Sequence, residues 1–479
     1  MPTRRKTNSQ SPALDRRTFL GATALGALAA GSMSLTGPAW LRRARAADAE
    51  RPVARNLIFM VSDGMSMGTL QITDLAIRRR HGRRSHWVEL ILHPQSRRSI
   101  VDTSALDSIV TDSAAAATAW GIGELVNNGA VGFTPDGRSP TPILVHAKQA
   151  GKATGLVTTT RLSHATPAGF IANVLTGRDD EGPIAEQILE RGVDVMLGGG
   201  THFFTPEIIG KHAGIDVVRT RDELLARRAA PGRRLLGLFS EQHLAYEIDR
   251  DLTSQPHIAE MTRAALSALE GAPGGFVMQI EGGRVDHAAH ANDAGALIRD
   301  QEAFDEAIGV VMDFWSRRDD TLVIITTDHG NANPGITDYG ARGSKGFDRL
   351  CEAKRSFEWI SEQRKALDPE PRKDGAAVAG IVQQATGVMF EADEQAILQR
   401  WIGGEKVDPF WIASGGTGPL GSLLANHFAV AFLSTNHTSD FVELTSIGPG
   451  SAALPMHTKI SDAHALMVKA LDLPEAKPI

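Results

Sequence analysis

The sequence has almost no cysteine and few aromatic residues. Its 479 residues include one cysteine, Cys351, and aromatic residues make up only 5%. A single thiol excludes intrachain disulfides and any zinc site built from several cysteines. No repeat of 20 to 50 residues is visible, and a repeat of that kind would mark a solenoid or a propeller. The composition therefore indicates an ordinary globular protein.

Acidic residues outnumber basic residues outside the N-terminus. The formal net charge is −6, and the first 46 residues hold eight of the 50 basic residues but only one of the 56 acidic ones. Nucleic-acid-binding proteins carry a basic face, which this acidic body lacks. The charge pattern thus argues against nucleic acid as an obligate partner.

Residues 1–46 have the features of an export signal. Arg16-Arg17 precede a weakly apolar stretch over 19–30, and Ala44-Arg45-Ala46 has the small-x-small pattern of a cleavage site. The stretch is well short of the roughly 18 apolar residues that a spanning helix needs. Paired arginines indicate the twin-arginine route, so we expect a mature chain without a membrane span, periplasmic or extracellular. The alternative is a disordered basic tail.

Short apolar runs alternate with helical stretches from residue 47 to residue 479. Continuous apolar runs are typical of strands buried on both faces of a parallel sheet, and the alternation predicts one α/β domain, a three-layer sandwich. We expect residues 335–425, rich in Gly and Pro, to be an insertion that elaborates one edge of the site. The runs predicted as strands are Asn56–Val61, Thr154–Thr158, Val193–Leu197, Phe276–Ile280, Leu322–Ile325 and Phe428–Leu433.

Acidic residues and histidines follow four of these predicted strands. The carboxyl ends of parallel strands meet at one edge, where crowded carboxylates would repel one another unless cations neutralised them. Nitrogen and oxygen ligands together suit Zn²⁺, and oxygen ligands alone suit Mg²⁺. Taken singly, each residue has a structural alternative as a helix cap or a turn residue. The residues are Asp63, Glu281, Asp286, His290, Asp328, His329 and His437.

Two further blocks carry hydroxyl groups. Asp112-Ser113 followed by four alanines predicts a helix that begins at or near Ser113, where free N–H groups and the helix dipole favour a phosphate. A metal-bound hydroxyl at that position could attack phosphorus, although Asp112 or Ser113 could simply cap the helix. In the second block, Thr166 can offer an oxygen to a hard cation, and His164 could sit near the same ion; Thr166-Pro167 alone is a helix start.

These blocks, in this order, resemble the alkaline phosphatases that use two Zn²⁺, one Mg²⁺ and a serine nucleophile. The resemblance implies that Ser113 is the nucleophile. It assigns Asp286, His290 and His437 to one zinc, Asp63, Asp328 and His329 to the other, and Asp63, Thr166 and Glu281 to magnesium. The family fold is a mostly parallel sheet between helices, with a crown-like insertion and commonly a homodimer.

The resemblance also selects a subgroup. His164 and His287 match members with histidine at both positions, which implies that His164 supports the magnesium site without binding the ion itself. Arg178, in the helix expected after Thr166, is the candidate phosphate-binding arginine, with Asp112 beside the substrate. Its position is one residue later than the family spacing.

The implied activity is hydrolysis of small phosphate monoesters through a phosphoserine intermediate. Two alternatives stay open from the sequence: a secreted zinc- or phosphate-binding protein without turnover, and a phosphodiesterase of the same superfamily. A sulfatase is disfavoured because Ser113 is followed by alanines and not by x-Pro-x-Arg.

Overall fold

A computed structural model describes residues 53–227, 232–407 and 411–479, so the predicted export signal lies outside the described residues. The strands, in chain order, are β1 (Asn56–Val61), β2 (Arg97–Asp102), β3 (Ala153–Arg161), β4 (Val195–Gly199), β5 (Ile215–Val218), β6 (Arg234–Leu238), β7 (Phe276–Glu281), β8 (Thr321–Thr326), β9 (Gly330–Asn331), β10 (Gly335–Ile336), β11 (Val430–Ala431), β12 (His437–Thr438), β13 (Val442–Ile447) and β14 (His457–Lys459).

The first helix follows β1, and the last lies close to the C-terminus. In chain order they are α1 (Met67–His81), α2 (His86–Ile91), α3 (Ser113–Ile122), α4 (Ile143–Gln149), α5 (Ala165–Gly169), α6 (Glu181–Glu190), α7 (Pro206–Gly210), α8 (Arg221–Ala226), α9 (Ile258–Leu269), α10 (Arg284–His290), α11 (Ala294–Ser316), α12 (Gly340–Cys351), α13 (Phe357–Ala366), α14 (Gly375–Thr386), α15 (Ala392–Ile402), α16 (Gly418–Phe428) and α17 (Asp462–Ala470). No helix within the described ranges is both long and apolar enough to cross a membrane.

Ten of the strands form one central sheet in the order β14-β2-β13-β8-β1-β7-β3-β4-β6-β5. Only β13 runs antiparallel to its neighbours. Every residue of β1, β7 and β8 is buried, as expected for parallel strands that are covered on both faces. The mostly parallel sheet predicted from the apolar runs is confirmed.

Helices cover the sheet on both sides. On one side the ring of Phe59 lies 5.0 Å from Trp120 of α3 and 5.2 Å from Phe170. On the other side Trp87 of α2 packs against Phe304 of α11 at 6.1 Å. This is the expected three-layer α/β sandwich.

One close helix contact fixes two parts of the site relative to each other. A Cβ on Gly121 of α3 would lie 1.9 Å from the carbonyl oxygen of Gly169 of α5, closer than any real contact. Glycine at position 121 therefore lets α3, which begins at Ser113, pack directly on α5, which contains Thr166.

The predicted strand over Phe428–Leu433 is wrong. Helix α16 continues to Phe428 and ends at Ala429, which has a left-handed φ of 57°. Only the two residues of β11 are extended, and they pair with β10. A short apolar run fits a buried helix end as well as a strand, and the sequence pattern alone does not separate them.

The segment predicted as an insertion contains α12 to α15 and most of α16. Its apolar side chains, Leu350 and Val382 among them, form a cluster distinct from the main core. Ile72 of α1 and Ile298 of α11 belong to the same cluster, so the segment packs onto the sandwich through these two helices.

Candidate active site

Neighbouring strands of the sheet bring the predicted acidic residues together. β8, β1 and β7 are adjacent and parallel, with Val61 paired to both Thr326 and Glu281. Asp63 and Asp328 each follow their strand by two residues, so their carboxylates lie at the same edge as Glu281. The prediction that these strand ends share one edge is confirmed.

The first cluster consists of Asp63, Asp328 and His329. Their ligand atoms all lie within 4.8 Å of one another, and all three side chains are fully buried. His329 Nε2 is 3.1 Å from Asp328 Oδ2 and 3.7 Å from Asp63 Oδ1. The Gly64 N–H donates to Asp328 Oδ1 at 3.0 Å, which fixes that carboxylate from the turn after β1.

The second cluster consists of Asp286, His290 and His437. The Nδ1 atoms of the two histidines face the carbonyl oxygens of Thr435 and Thr111, at 2.7 and 2.9 Å. Each Nδ1 therefore carries the proton, and each Nε2 is left as a lone pair. The two Nε2 atoms are 3.0 Å apart, and two neutral rings with their protons on Nδ1 cannot donate to each other there, so the pair suits a bound cation.

His437 reaches this cluster by a route that the sequence pattern did not predict. It lies in β12, which pairs with β9 in a separate two-stranded ribbon, and does not follow a strand of the central sheet. The same ribbon contains Asn331, whose Nδ2 donates to Asp286 Oδ1 at 2.6 Å. Asn331 was not predicted from the sequence, although it lies two residues after His329.

The third cluster consists of Asp63, His164 and Glu281, so Asp63 belongs to two clusters. Thr166 Oγ1 lies 3.4 Å from Asp63 Oδ2. A ring nitrogen of His164, expected to stay outside the ligand shell, lies within 4.8 Å of an oxygen of each carboxylate. Thr158 donates to Glu281 Oε2 from the adjacent β3.

The electrostatics of these clusters fit bound cations. Burial and the carboxylates of Asp328, Asp286 and Glu281 raise the pKa of Asp63 well above its usual range. Burial also raises the pKa of Glu281 to about 7, against the hydrogen bond from Thr158. Asp63 Oδ1 and Glu281 Oε1 are buried without a hydrogen-bond partner. Oxygen atoms in this state are costly unless a cation binds them, so the donor set suits metal ions.

Ser113 lies at the border of the first cluster. It is the first residue of α3, and its Oγ is 3.3 Å from His329 Nε2. Asp112 caps the helix by accepting from the Ala115 N–H at 2.9 Å. Of the first N–H groups of α3, those of Ser113 and Ala114 lack an intrahelical partner and are available to an anion.

Arg178 reaches the same point from a different element. It lies in a turn between α5 and α6, and not in a helix after Thr166 as predicted. Its backbone N–H donates to the carbonyl oxygen of Gly129 at 2.9 Å, and its Nη1 donates to Asp112 Oδ2 at 2.9 Å. The Asp112 carboxylate thus joins the Ser113 helix to the guanidinium, which is three-quarters buried.

Comparison with known proteins agrees with this geometry. The alkaline phosphatase family profile matches residues 54–356. The chain belongs to the alkaline phosphatase family. It is 29% identical to alkaline phosphatase 4 of Bacillus subtilis (strain 168), covering 85% of this chain and 87% of the relative. It is 35% identical to streptomycin-6-phosphate phosphatase of Streptomyces griseus, over 58% of this chain and 74% of the relative.

The alkaline phosphatase fold is shown by solved structures as well. The crystal structure of Thermus thermophilus alkaline phosphatase superposes with a TM-score of 0.82 at 34% identity, covering 89% of this chain and 93% of the other. Family membership supports hydrolysis of phosphate monoesters as the activity of this chain.

Further residues beside the candidate site were not predicted from the sequence. His243 lies 4.4 Å from His287, ring centre to ring centre, and comes from the loop after β6, where no motif marks it. Burial and neighbouring arginines lower the pKa of His243 to about 2. Arg284 lies within the block from Glu281 to His290, so its position, though not its role, could have been read from the sequence.

Proposed function

We propose that the chain is a metal-dependent phosphomonoesterase in which Ser113 attacks phosphorus and forms a phosphoserine. The observation that carries the proposal is the position of Ser113. Its Oγ lies 3.3 Å from His329 Nε2 in the first cluster, at a helix N-terminus that Asp112 links to Arg178. Nucleophile, cation-binding side chains and an anion-binding guanidinium thus meet at one point.

The three clusters support the following metal assignment. Asp286, His290 and His437 would hold one Zn²⁺, and Asp63, Asp328 and His329 the other. Asp63, Glu281 and Thr166 would hold Mg²⁺, with His164 beside them. When bound, such ions supply Lewis-acid stabilisation of the attacking and leaving oxygens.

Backbone and side-chain groups of the protein would together bind and orient the phosphoryl group. The N–H groups of Ser113 and Ala114 point out of the helix end toward an anion. Arg178 keeps guanidinium N–H groups beyond those given to Asp112 and His164, and a guanidinium suits two phosphoryl oxygens. Because this binding is concentrated on the phosphoryl group, we expect broad specificity among small monoesters.

The remaining parts of the chain complete the proposal. Residues 1–46 would direct export by the twin-arginine route to the periplasm or beyond, and residues 47–479 would form the mature domain, commonly as a homodimer. Residues 335–425 would be the crown-like insertion.

The proposal is tested with the full mature chain loaded with Zn²⁺ and Mg²⁺. We expect release of p-nitrophenol from p-nitrophenyl phosphate, and elemental analysis should give about two zincs and one magnesium per chain. Ser113→Ala should abolish turnover and the phosphorylated serine peptide seen by mass spectrometry. Ser108→Ala, on the loop before α3, is the matched control and should keep both.

The two alternatives give different results in the same assay. Phosphate binding without release of p-nitrophenol would favour a binding protein. Preferential cleavage of bis(p-nitrophenyl) phosphate would favour a phosphodiesterase. Full activity of Ser113→Ala would overturn the assignment of the nucleophile.

A further inference from the structure

Three histidines beside the site each contact an arginine. We call His164, His243 and His287 the histidine cluster; their ring centres are 4.4 to 5.8 Å apart. Each arginine nitrogen lies within hydrogen-bond distance of one ring nitrogen. The pairs are Arg178 with His164 at 3.3 Å, Arg161 with His243 at 2.7 Å, and Arg284 with His287 at 2.7 Å.

The pair of Arg284 and His287 determines which ring nitrogen carries the proton. A guanidinium has donors only and stays protonated, so His287 Nδ1 must accept from Arg284 Nη1. His287 is therefore the neutral tautomer with its proton on Nε2. Nε2 forms no hydrogen bond to any residue of the described ranges. An N–H donor is thus left over, one residue after Asp286 and beside His164, the partner of Arg178.

Arg284 itself is held from two further directions. Its side chain is 5% exposed, and Nη2 lies 2.6 Å from Glu358 Oε1. The guanidinium carbon sits 3.7 Å from the ring centre of Tyr246, in cation–π contact. Glu358 belongs to α13, so the predicted insertion forms an ion pair with Arg284, which in turn contacts His287.

We propose that Arg284 is a positioning residue, which fixes His287 as the Nε2–H tautomer so that His287 donates to the oxygens of a bound phosphoryl group. Glu358, from the insertion, keeps Arg284 in place for this task. The inference deepens the proposed function and rests on it for the identity of the ligand, but the tautomer is a property of the protein alone.

The tautomer is measured by two-bond ¹⁵N–¹H correlation on histidine-labelled protein, loaded with Zn²⁺ and Mg²⁺ and saturated with inorganic phosphate. Both ions are diamagnetic, and the His287 signals are those lost in His287→Ala. We expect a protonated Nε2 and a hydrogen-bonded Nδ1 lone pair. A protonated Nδ1 in the wild type would overturn the proposal, as would an unchanged Nδ1 shift in Arg284→Met.

Glu358→Ala provides a second variant, because a change at the buried Arg284 risks misfolding. Its side chain is about half exposed, and its loss should move the Nδ1 shift in the same direction by a smaller amount. No movement in Glu358→Ala would show that the insertion has no part in holding Arg284 and would overturn that part of the proposal.

Kinetics with p-nitrophenyl phosphate separate positioning from general damage. Loss of one hydrogen bond to a charged group should lower kcat/KM of Arg284→Met by about tenfold. In a His287→Ala background the same change should cost less than about twofold, since Arg284 acts through His287. Equal losses in both backgrounds would overturn the proposal. Arg221→Met, which breaks the ion pair with Glu260, is the matched control and should leave kcat/KM unchanged.

The two measurements also separate this inference from the proposed function. If the wild type fails to hydrolyse the ester but shows the Nε2–H tautomer, the proposed function fails while the Arg284–His287 contact stands. If hydrolysis proceeds and the tautomer is reversed, only the inference fails.

Discussion

Glu281→Gln should change the stability of the protein in opposite directions with and without metal ions. Without ions, the Glu281 carboxyl is fully buried, and burial raises its pKa from the usual 4.5 to about 7. Below pH 4.5 the carboxyl is protonated in the folded and the unfolded protein, so its burial carries no charge penalty. Between pH 4.5 and about 7 it ionises in the unfolded protein only, so the free energy of unfolding falls as the pH rises through this interval. At about 1.4 kcal/mol per pH unit over this interval, the ionised carboxylate destabilises the metal-free fold by about 3 kcal/mol at pH 8.

Glutamine has nearly the same shape and no charge, so it removes this cost. In excess chelator at pH 8, Glu281→Gln should unfold at a higher temperature than the wild type, and at pH 4.5 the two should unfold together. With Mg²⁺ and Zn²⁺ present, the order should reverse, because the carboxylate then gains binding free energy that the amide does not.

Differential scanning fluorimetry across pH 4.5 to 8, with chelator and with both ions, measures all four cases. Glu260→Gln is the matched control: its carboxylate pairs with Arg221 away from the site, so its effect should not depend on metal. Lower stability of Glu281→Gln than of the wild type in chelator at pH 8 would refute the reasoning. It would mean that Glu281 is not a buried, uncompensated charge in the metal-free protein.

Three other substitutions test the site and the core. Arg178→Ala should weaken competitive inhibition by inorganic phosphate by about 30-fold, because a charged hydrogen-bond contact of about 2 kcal/mol is lost, and an unchanged inhibition constant would contradict its role. Phe59→Ala should lower the free energy of unfolding by about 3 to 5 kcal/mol, because a buried ring packed against Trp120 leaves a cavity, and urea titration measures this. Gly121→Ala should cost about 1 to 3 kcal/mol and reduce turnover, since the new Cβ would separate α3 from α5; a neutral effect in the same titration would exclude this tight contact.

The sequence predicted the sheet and the meeting of three carboxylates at its edge for one physical reason. Buried parallel strands are apolar throughout, so their ends stand out where the polar residues begin, and the topology then brings those ends to one edge. Asp63, Glu281 and Asp328 could be placed together on that argument alone. Residues that follow irregular backbone, such as His437, could not be placed by that argument. The strand expected before His437 is in fact the end of α16.

The histidine cluster shows why the remainder of the site escaped prediction. His243 and Arg178 lie in loops, and neither loop has a hydrophobic period that fixes where its side chains point. Their positions follow from contacts between distant segments: the Arg178 backbone bonds to Gly129, and the His243 ring bonds to Arg161. A resemblance could supply the position of Arg178 because the family contains such an arginine. It could not supply the proton on His287 Nε2, because that proton is set by the donor on the opposite side of the ring. Histidine tautomers and ion-pair partners depend on contacts that exist only in the folded protein. A sequence motif therefore does not contain this part of the chemistry.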